Sequence, residues 1–76
     1  MGSQRHHRVR STLDLGYLVR VKRKELGVTQ VQAAGLAGVG VRFLSELERG
    51  KDTLEVGKVL QVLNAVGLDL QLRGRS

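Results

Sequence analysis

The stretch that decides the fold runs from Thr29 to Gly50, TQVQAAGLAGVGVRFLSELERG. It opens with Thr29-Gln30, a capping residue followed by a first helical position, and carries Ala33, Ala34 and Ala37 on one face. Side chains that small let a neighbouring helix approach closely. Gly38-Val39-Gly40 breaks this short helix after Ala37, and Val41 to Arg49 reads as the next one, with Leu44 and Leu47 three apart on its apolar edge and Gly50 as its stop.

Working outward, residues 12–26 have a helical apolar period. Leu15, Leu18, Val19 and Leu26 recur at three- and four-residue steps, with Arg20, Lys22, Lys24 and Glu25 on the other face. Ser11 or Thr12 supplies the N-cap, Asp14 suits the first turn, and Gly27 ends the helix. On the other side, Lys51-Asp52-Thr53 is a polar turn, and a further helix begins between residues 53 and 56 and carries Val56, Val59, Leu60 and Leu63 to a stop at Gly67. Leu68-Asp69-Leu70-Gln71-Leu72 then alternates strictly, the pattern of a strand. A lone strand has no mate in its own chain, so Leu68, Leu70 and Leu72 are expected to pair with a second copy across a two-fold axis, a frayed tail being the plainer alternative. The expected organisation is a flexible basic arm over 1–11, a helical domain over 12–67, a dimerisation strand over 68–72 and a basic tail over 73–76.

Composition narrows the function classes. The chain has 76 residues, too few for a roomy enclosed active site, since a chain this short buries only about 60% of its unfolded surface. It has no Cys, and both histidines, His6 and His7, sit in the basic arm without a carboxylate beside them, so neither a metal site nor a cofactor is expected. No apolar run approaches the roughly 18 residues of a spanning helix, no signal peptide is apparent, and a cytoplasmic protein without membrane attachment is expected. The helical body holds no His and no phosphate-cradling loop after a strand, which argues against an enzyme. Thirteen Lys+Arg against seven Asp+Glu give a net charge of +6, which attracts polyanions. With Tyr17 and Phe43 as the only aromatics, base stacking on single strands is poorly served and a duplex is favoured.

Two short helices about a glycine turn form a helix-turn-helix, whose second helix enters a major groove about 12 Å wide while the first lies across phosphates. The pattern T-Q-x-x-x-A-x-x-x-G-V followed by F-L-S-x-L-E-R-G-K resembles the Xre/Cro-type helix-turn-helix family of phage repressors and bacterial regulators over roughly residues 13 to 66. The resemblance implies an all-α, compact, lambda-repressor-like domain of four to five helices. VRFLSELERGK, Val59-Leu60-x-Val62-Leu63 and the ending GLDLQL are more closely similar to HipB-like antitoxins. That likeness implies a homodimeric repressor of an inverted-repeat operator, whose C-terminal strands pair, and which neutralises a HipA-like Ser/Thr kinase toxin while regulating its own operon. A plain phage-type repressor without a toxin partner, or a module that binds only protein, are the alternatives. Ala33 stands where the family usually carries Leu, and Gly35 and Gly57 lie inside helices, which predicts a looser domain.

Candidate contacts follow from position. In the recognition helix, Val41, Arg42, Ser45 and Glu46 are the outward residues expected to read bases. Arg42 can take guanine O6/N7 or a phosphate, Val41 a thymine methyl, and Glu46 can accept from cytosine N4 or orient Arg42 or Arg49. Thr29 and Gln30 are expected on phosphate, together with Arg20, Arg49 and Lys51, each with a solvated side chain as the plainer alternative. Phe43 is either core or a wall against sugar-phosphate. Arg5, Arg8 and Arg10 of the arm either follow a groove or add unspecific charge. The inward edges of their helices put Arg23 and Glu48 where a lone charge is costly, and the family resemblance implies a buried salt bridge between them.

Overall fold

The computed structural model describes residues 6–75, folded as four helices: α1 (Thr12–Glu25), α2 (Gln30–Ala37), α3 (Val41–Glu48) and α4 (Val56–Ala65). Arg5 of the basic arm lies outside the described residues. Ser11 caps α1, its hydroxyl accepting from the Asp14 N–H at 3.3 Å. Thr29 caps α2 through a reciprocal box: its hydroxyl accepts from the Gln32 N–H at 3.1 Å, and the Gln32 side-chain Oε1 accepts from the Thr29 N–H at 2.9 Å. The four helix ends close on Gly27, Gly38, Gly50 and Gly67, all at φ between 73° and 85°, a left-handed conformation that a side chain disfavours.

The core is small. Val19 from α1, Ala33, Ala34 and Ala37 from α2, Leu44 and Leu47 from α3, and Val59, Val62 and Leu63 from α4 form one buried cluster. The alanine face of α2 receives both α3 and α4, as side chains of that size allow. α1 packs on α3 through Gly16: a Cβ there would run into the Leu47 carbonyl oxygen and come within 3.1 Å of the Glu48 carbonyl. The two ends of this contact are tied by the Thr12 hydroxyl, which donates to the Gly50 carbonyl at 2.7 Å. The Gln61 amide likewise ties α4 to the end of α2, donating to the Ala37 carbonyl at 3.0 Å.

Three apolar side chains expected on buried faces are exposed. Leu26 (51% exposed) is the C-cap of α1, past its last packed turn, and Val56 (69%) and Leu60 (46%), one turn apart, lie on the flank of α4 away from Val59, Val62 and Leu63. Residues 68–75 carry no regular secondary structure in the single chain. Leu68 packs against the core, whereas Leu70 (50% exposed) and Leu72 (91%) stand in solvent. No helix among the described residues is long and apolar enough to cross a membrane.

Candidate nucleic-acid interface

The close α1–α3 approach brings together two residues far apart in sequence. The Arg23 guanidinium donates to both Glu48 carboxylate oxygens, Nε at 2.6 Å and Nη2 at 2.9 Å, and its Nη1 donates to the Val28 carbonyl at 3.0 Å. Both side chains are almost fully buried, 11% and 4% exposed. A two-pronged pair with a third hydrogen bond on the cation is the geometry in which a buried ion pair can offset its desolvation. Burial pushes the Glu48 carboxyl up, but hydrogen bonds from Arg23 and Gln30 and the positive fields of Arg23 and Arg20 together outweigh it, so the net shift is downward. The Glu48 hydrogen bond raises the Arg23 pKa, against a smaller opposing effect of burial.

Gln30 joins this pair. Its side-chain amide donates to Glu48 Oε1 at 3.0 Å and is half-buried, so the side chain expected on phosphate is turned into the fold. At the amino end of α2, beside the exposed Thr29, the Gln32 N–H is taken by the cap, and the Gln30 and Val31 N–H groups have no partner within the helix.

Next to the pair lies a shallow notch of about 290 Å³ lined by Arg20, Lys24, Gln30, Ser45 and Arg49 around Arg23 and Glu48. Exposed cations from α1 (Arg20 and Lys24) and from the C-cap of α3 (Arg49) therefore face the amino end of α2 across a gap a phosphate could enter. Lys24 shares a helix face with Arg20, four residues before it, and so adds a cation to the notch beyond the phosphate contacts expected from sequence.

α3 presents the rest. Arg42, in its first turn, has a side chain 91% exposed, and Val41 beside it is 41% exposed. Ser45 is half-buried and lines the notch. Glu46, 20% exposed, lies 3.5 Å from Arg42 Nε and 3.5 Å from Lys51 Nζ, so its partners are Arg42 and Lys51 rather than Arg49. Phe43 is half-buried against the core, and its ring lies 6.0 Å from the Lys58 ammonium at the start of α4. In the arm, the Arg10 N–H donates to the Asp14 carboxylate at 2.9 Å, and Arg8 lies with His7, Asp14, Tyr17 and Leu18 around a second shallow notch. Among the described residues no group of three or more His, Cys, Asp or Glu could hold a metal ion.

A family model described as a helix-turn-helix domain matches residues 14–75. An uncharacterized HTH-type transcriptional regulator, y4mF of Sinorhizobium fredii, is 48% identical over 65 residues, which cover 86% of each chain. Among solved structures, the HipA-HipB-O2-O3 complex contains a chain with a TM-score of 0.83 at 20% identity, over 93% of this chain and 100% of that one. The restriction-modification controller protein C.AhdI of Aeromonas hydrophila has a TM-score of 0.68 at 22% identity, over 76% and 84%. At such identities these two structures speak for a shared fold alone.

Proposed function

The chain belongs to the helix-turn-helix domain family and is a DNA-binding transcriptional regulator rather than an enzyme, and from that premise we propose that it is a sequence-specific repressor that binds double-stranded DNA as a homodimer. In this reading α3 lies in the major groove, with Arg42 on a guanine edge and Val41 against a neighbouring base. Arg20, Lys24, Arg49 and the amino end of α2 hold the flanking phosphates, Lys51 stays with Glu46, and Arg23–Glu48 is a structural brace that touches no base. The observation that carries the reading is the convergence of α1 and α3 cations on the amino end of α2, beside a helix whose first turn projects Arg42 into solvent.

The homodimer is supported by apolar side chains left uncovered in the single chain, Val56 and Leu60 on α4 and Leu70 and Leu72 beyond it. The alternating segment 68–72 pairs with its copy and sets two recognition helices about 34–36 Å apart, facing an inverted repeat. The likeness in fold to HipB, solved with HipA, supports a further step: the protein is the antitoxin of a kinase toxin encoded beside it, works in the cytoplasm at the nucleoid, and represses its own operon. Co-expression with the product of the neighbouring reading frame and co-purification of the pair tests that step.

The DNA reading is tested by fluorescence anisotropy on a 24-base-pair duplex from the protein's own promoter, titrated across salt. With about four or five phosphates held per protomer, log K falls against log salt with a slope of about −7 to −9. A slope near zero on that duplex and on random sequence would remove DNA from the account.

A further inference from the structure

The notch of Arg20, Lys24 and Arg49 accounts for phosphate, but it leaves one feature of the DNA-facing surface unexplained: an acid in the middle of it. Glu46 lies on the same helix as Arg42, one turn on, and is held between Arg42 Nε and Lys51 Nζ at 3.5 Å each. A carboxylate among cations that must meet phosphate weakens every electrostatic contact nearby, so it has to contribute something else.

The geometry indicates what that is. Arg42 is 91% exposed, a long side chain with no packing to hold it, whereas Glu46 is only 20% exposed and is paired in addition with Lys51 from the following turn. The closest approach is at Nε, the inner edge of the guanidinium, and the outer end carrying Nη1 and Nη2 stands in solvent. A guanidinium has more than one edge from which it can donate a pair of parallel hydrogen bonds. Held by its inner edge, Arg42 still offers the outer one to guanine O6 and N7.

We propose that Glu46 is a positioning residue that sets base specificity without touching a base: it aims the outer edge of Arg42 into the groove and withholds Arg42 and Lys51 from phosphates at wrong sequences. The inference rests on the DNA reading above. On a correct site Arg42 satisfies guanine and keeps Glu46, so nothing is lost. Elsewhere, Arg42 or Lys51 reaches a phosphate only by leaving Glu46 and bringing that phosphate near its negative charge. Specificity is then gained by penalising the wrong complex.

The test compares wild type, Glu46→Gln and Glu46→Asp on two probes: a duplex selected by wild-type protein from a random 20-base-pair pool, and poly(dI-dC). Glu46→Gln keeps the shape and removes the charge. It is expected to bind poly(dI-dC) about threefold to tenfold more tightly at low salt, with the slope of log K against log salt steeper by about one per protomer, and the specificity ratio should fall roughly tenfold. Glu46→Asp keeps the charge and shortens the reach, so poly(dI-dC) binding should stay near wild type while affinity for the selected duplex drops. Loss of selected-duplex affinity in Glu46→Gln with poly(dI-dC) binding unchanged would mean that Glu46 itself reads a base, and would overturn the proposal. So would two variants indistinguishable from wild type on both probes. If Glu46→Gln does not fold, as seen by circular dichroism, the Glu46→Asp comparison decides alone. A wild type that selects no duplex defeats the DNA reading itself, and the inference with it, before any variant is made.

Discussion

Replacing Glu48 by Ala should cost the domain stability, not merely DNA affinity. The substitution removes the acceptor of two Arg23 hydrogen bonds, at 2.6 and 2.9 Å, and of one from Gln30 at 3.0 Å. Arg23, 9% exposed, then keeps its charge with only the Val28 carbonyl to answer it. Breaking a buried pair by deleting one partner costs about 3–5 kcal/mol, and water entering from the adjoining notch should recover part of this, leaving about 2–4 kcal/mol. A domain of this length has roughly 4–11 kcal/mol to lose. At about 4–8 °C per kcal/mol, the melting temperature should fall by about 8–32 °C. Thermal unfolding followed by circular dichroism at 222 nm reads this directly. Replacing both partners with apolar residues, Arg23→Met with Glu48→Leu, should return most of the loss, since no charge is then stranded. A Glu48→Ala melt that coincides with wild type while operator affinity drops would refute the structural role and make Glu48 part of the binding surface.

Other expectations can be checked by similar means. Because the folded Glu48 carboxyl is held below its ordinary value of 4.5, its stabilisation is complete above that pH and fades as pH falls below it, so the gap in stability between wild type and Glu48→Gln in urea titrations should narrow in acid. Gly35→Ala and Gly57→Ala should each raise stability by about 0.5–1 kcal/mol, because both glycines are helical and an added Cβ meets nothing within 4 Å. Gly16→Ala should instead lower it by about 1–3 kcal/mol, measured in the same titrations, because the Cβ drives α1 off the Leu47 carbonyl. Leu70→Asp should shift sedimentation equilibrium from dimer to monomer without altering the far-ultraviolet spectrum, whereas an unchanged dimer would remove the C-terminal segment from the interface.

Much of the fold could be read from the chain because its breaks are written in glycine and the packing face of α2 in alanine. Gly27, Gly38, Gly50 and Gly67 stand at the left-handed turns that separate or follow the helices, and Ala33, Ala34 and Ala37 are the face on which α3 and α4 settle. Thr29-x-x-Gln32 likewise spells the reciprocal cap found at the start of α2. Periodicity was less informative where a helix has two apolar flanks. Val56 and Leu60 continue the rhythm of α4 yet face solvent, because only the stripe through Val59, Val62 and Leu63 meets α2. Gly16 gave no sign of its role, since the need for a missing side chain arises from a carbonyl 31 positions later in the chain. In the interface, residue type and position located Arg42, Arg49 and Lys51 on the surface. They could not reveal that Gln30 turns toward Glu48, which depends on the distance between two helices, or that Glu46 faces Lys51, which depends on the course of the turn after α3. The alternation of 68–72 records a period without naming the partner, and one chain alone leaves Leu70 and Leu72 uncovered.

If two copies of α3 read guanines in successive major grooves through Arg42, the protein should shield guanine N7 on the selected duplex from dimethyl sulfate. The account predicts protected guanines in two symmetric clusters about 10 base pairs apart, with both clusters exposed again in Arg42→Ala although that protein still folds and still binds weakly through phosphate. Guanines equally reactive with and without wild-type protein, or protection that persists unchanged in Arg42→Ala, would contradict it.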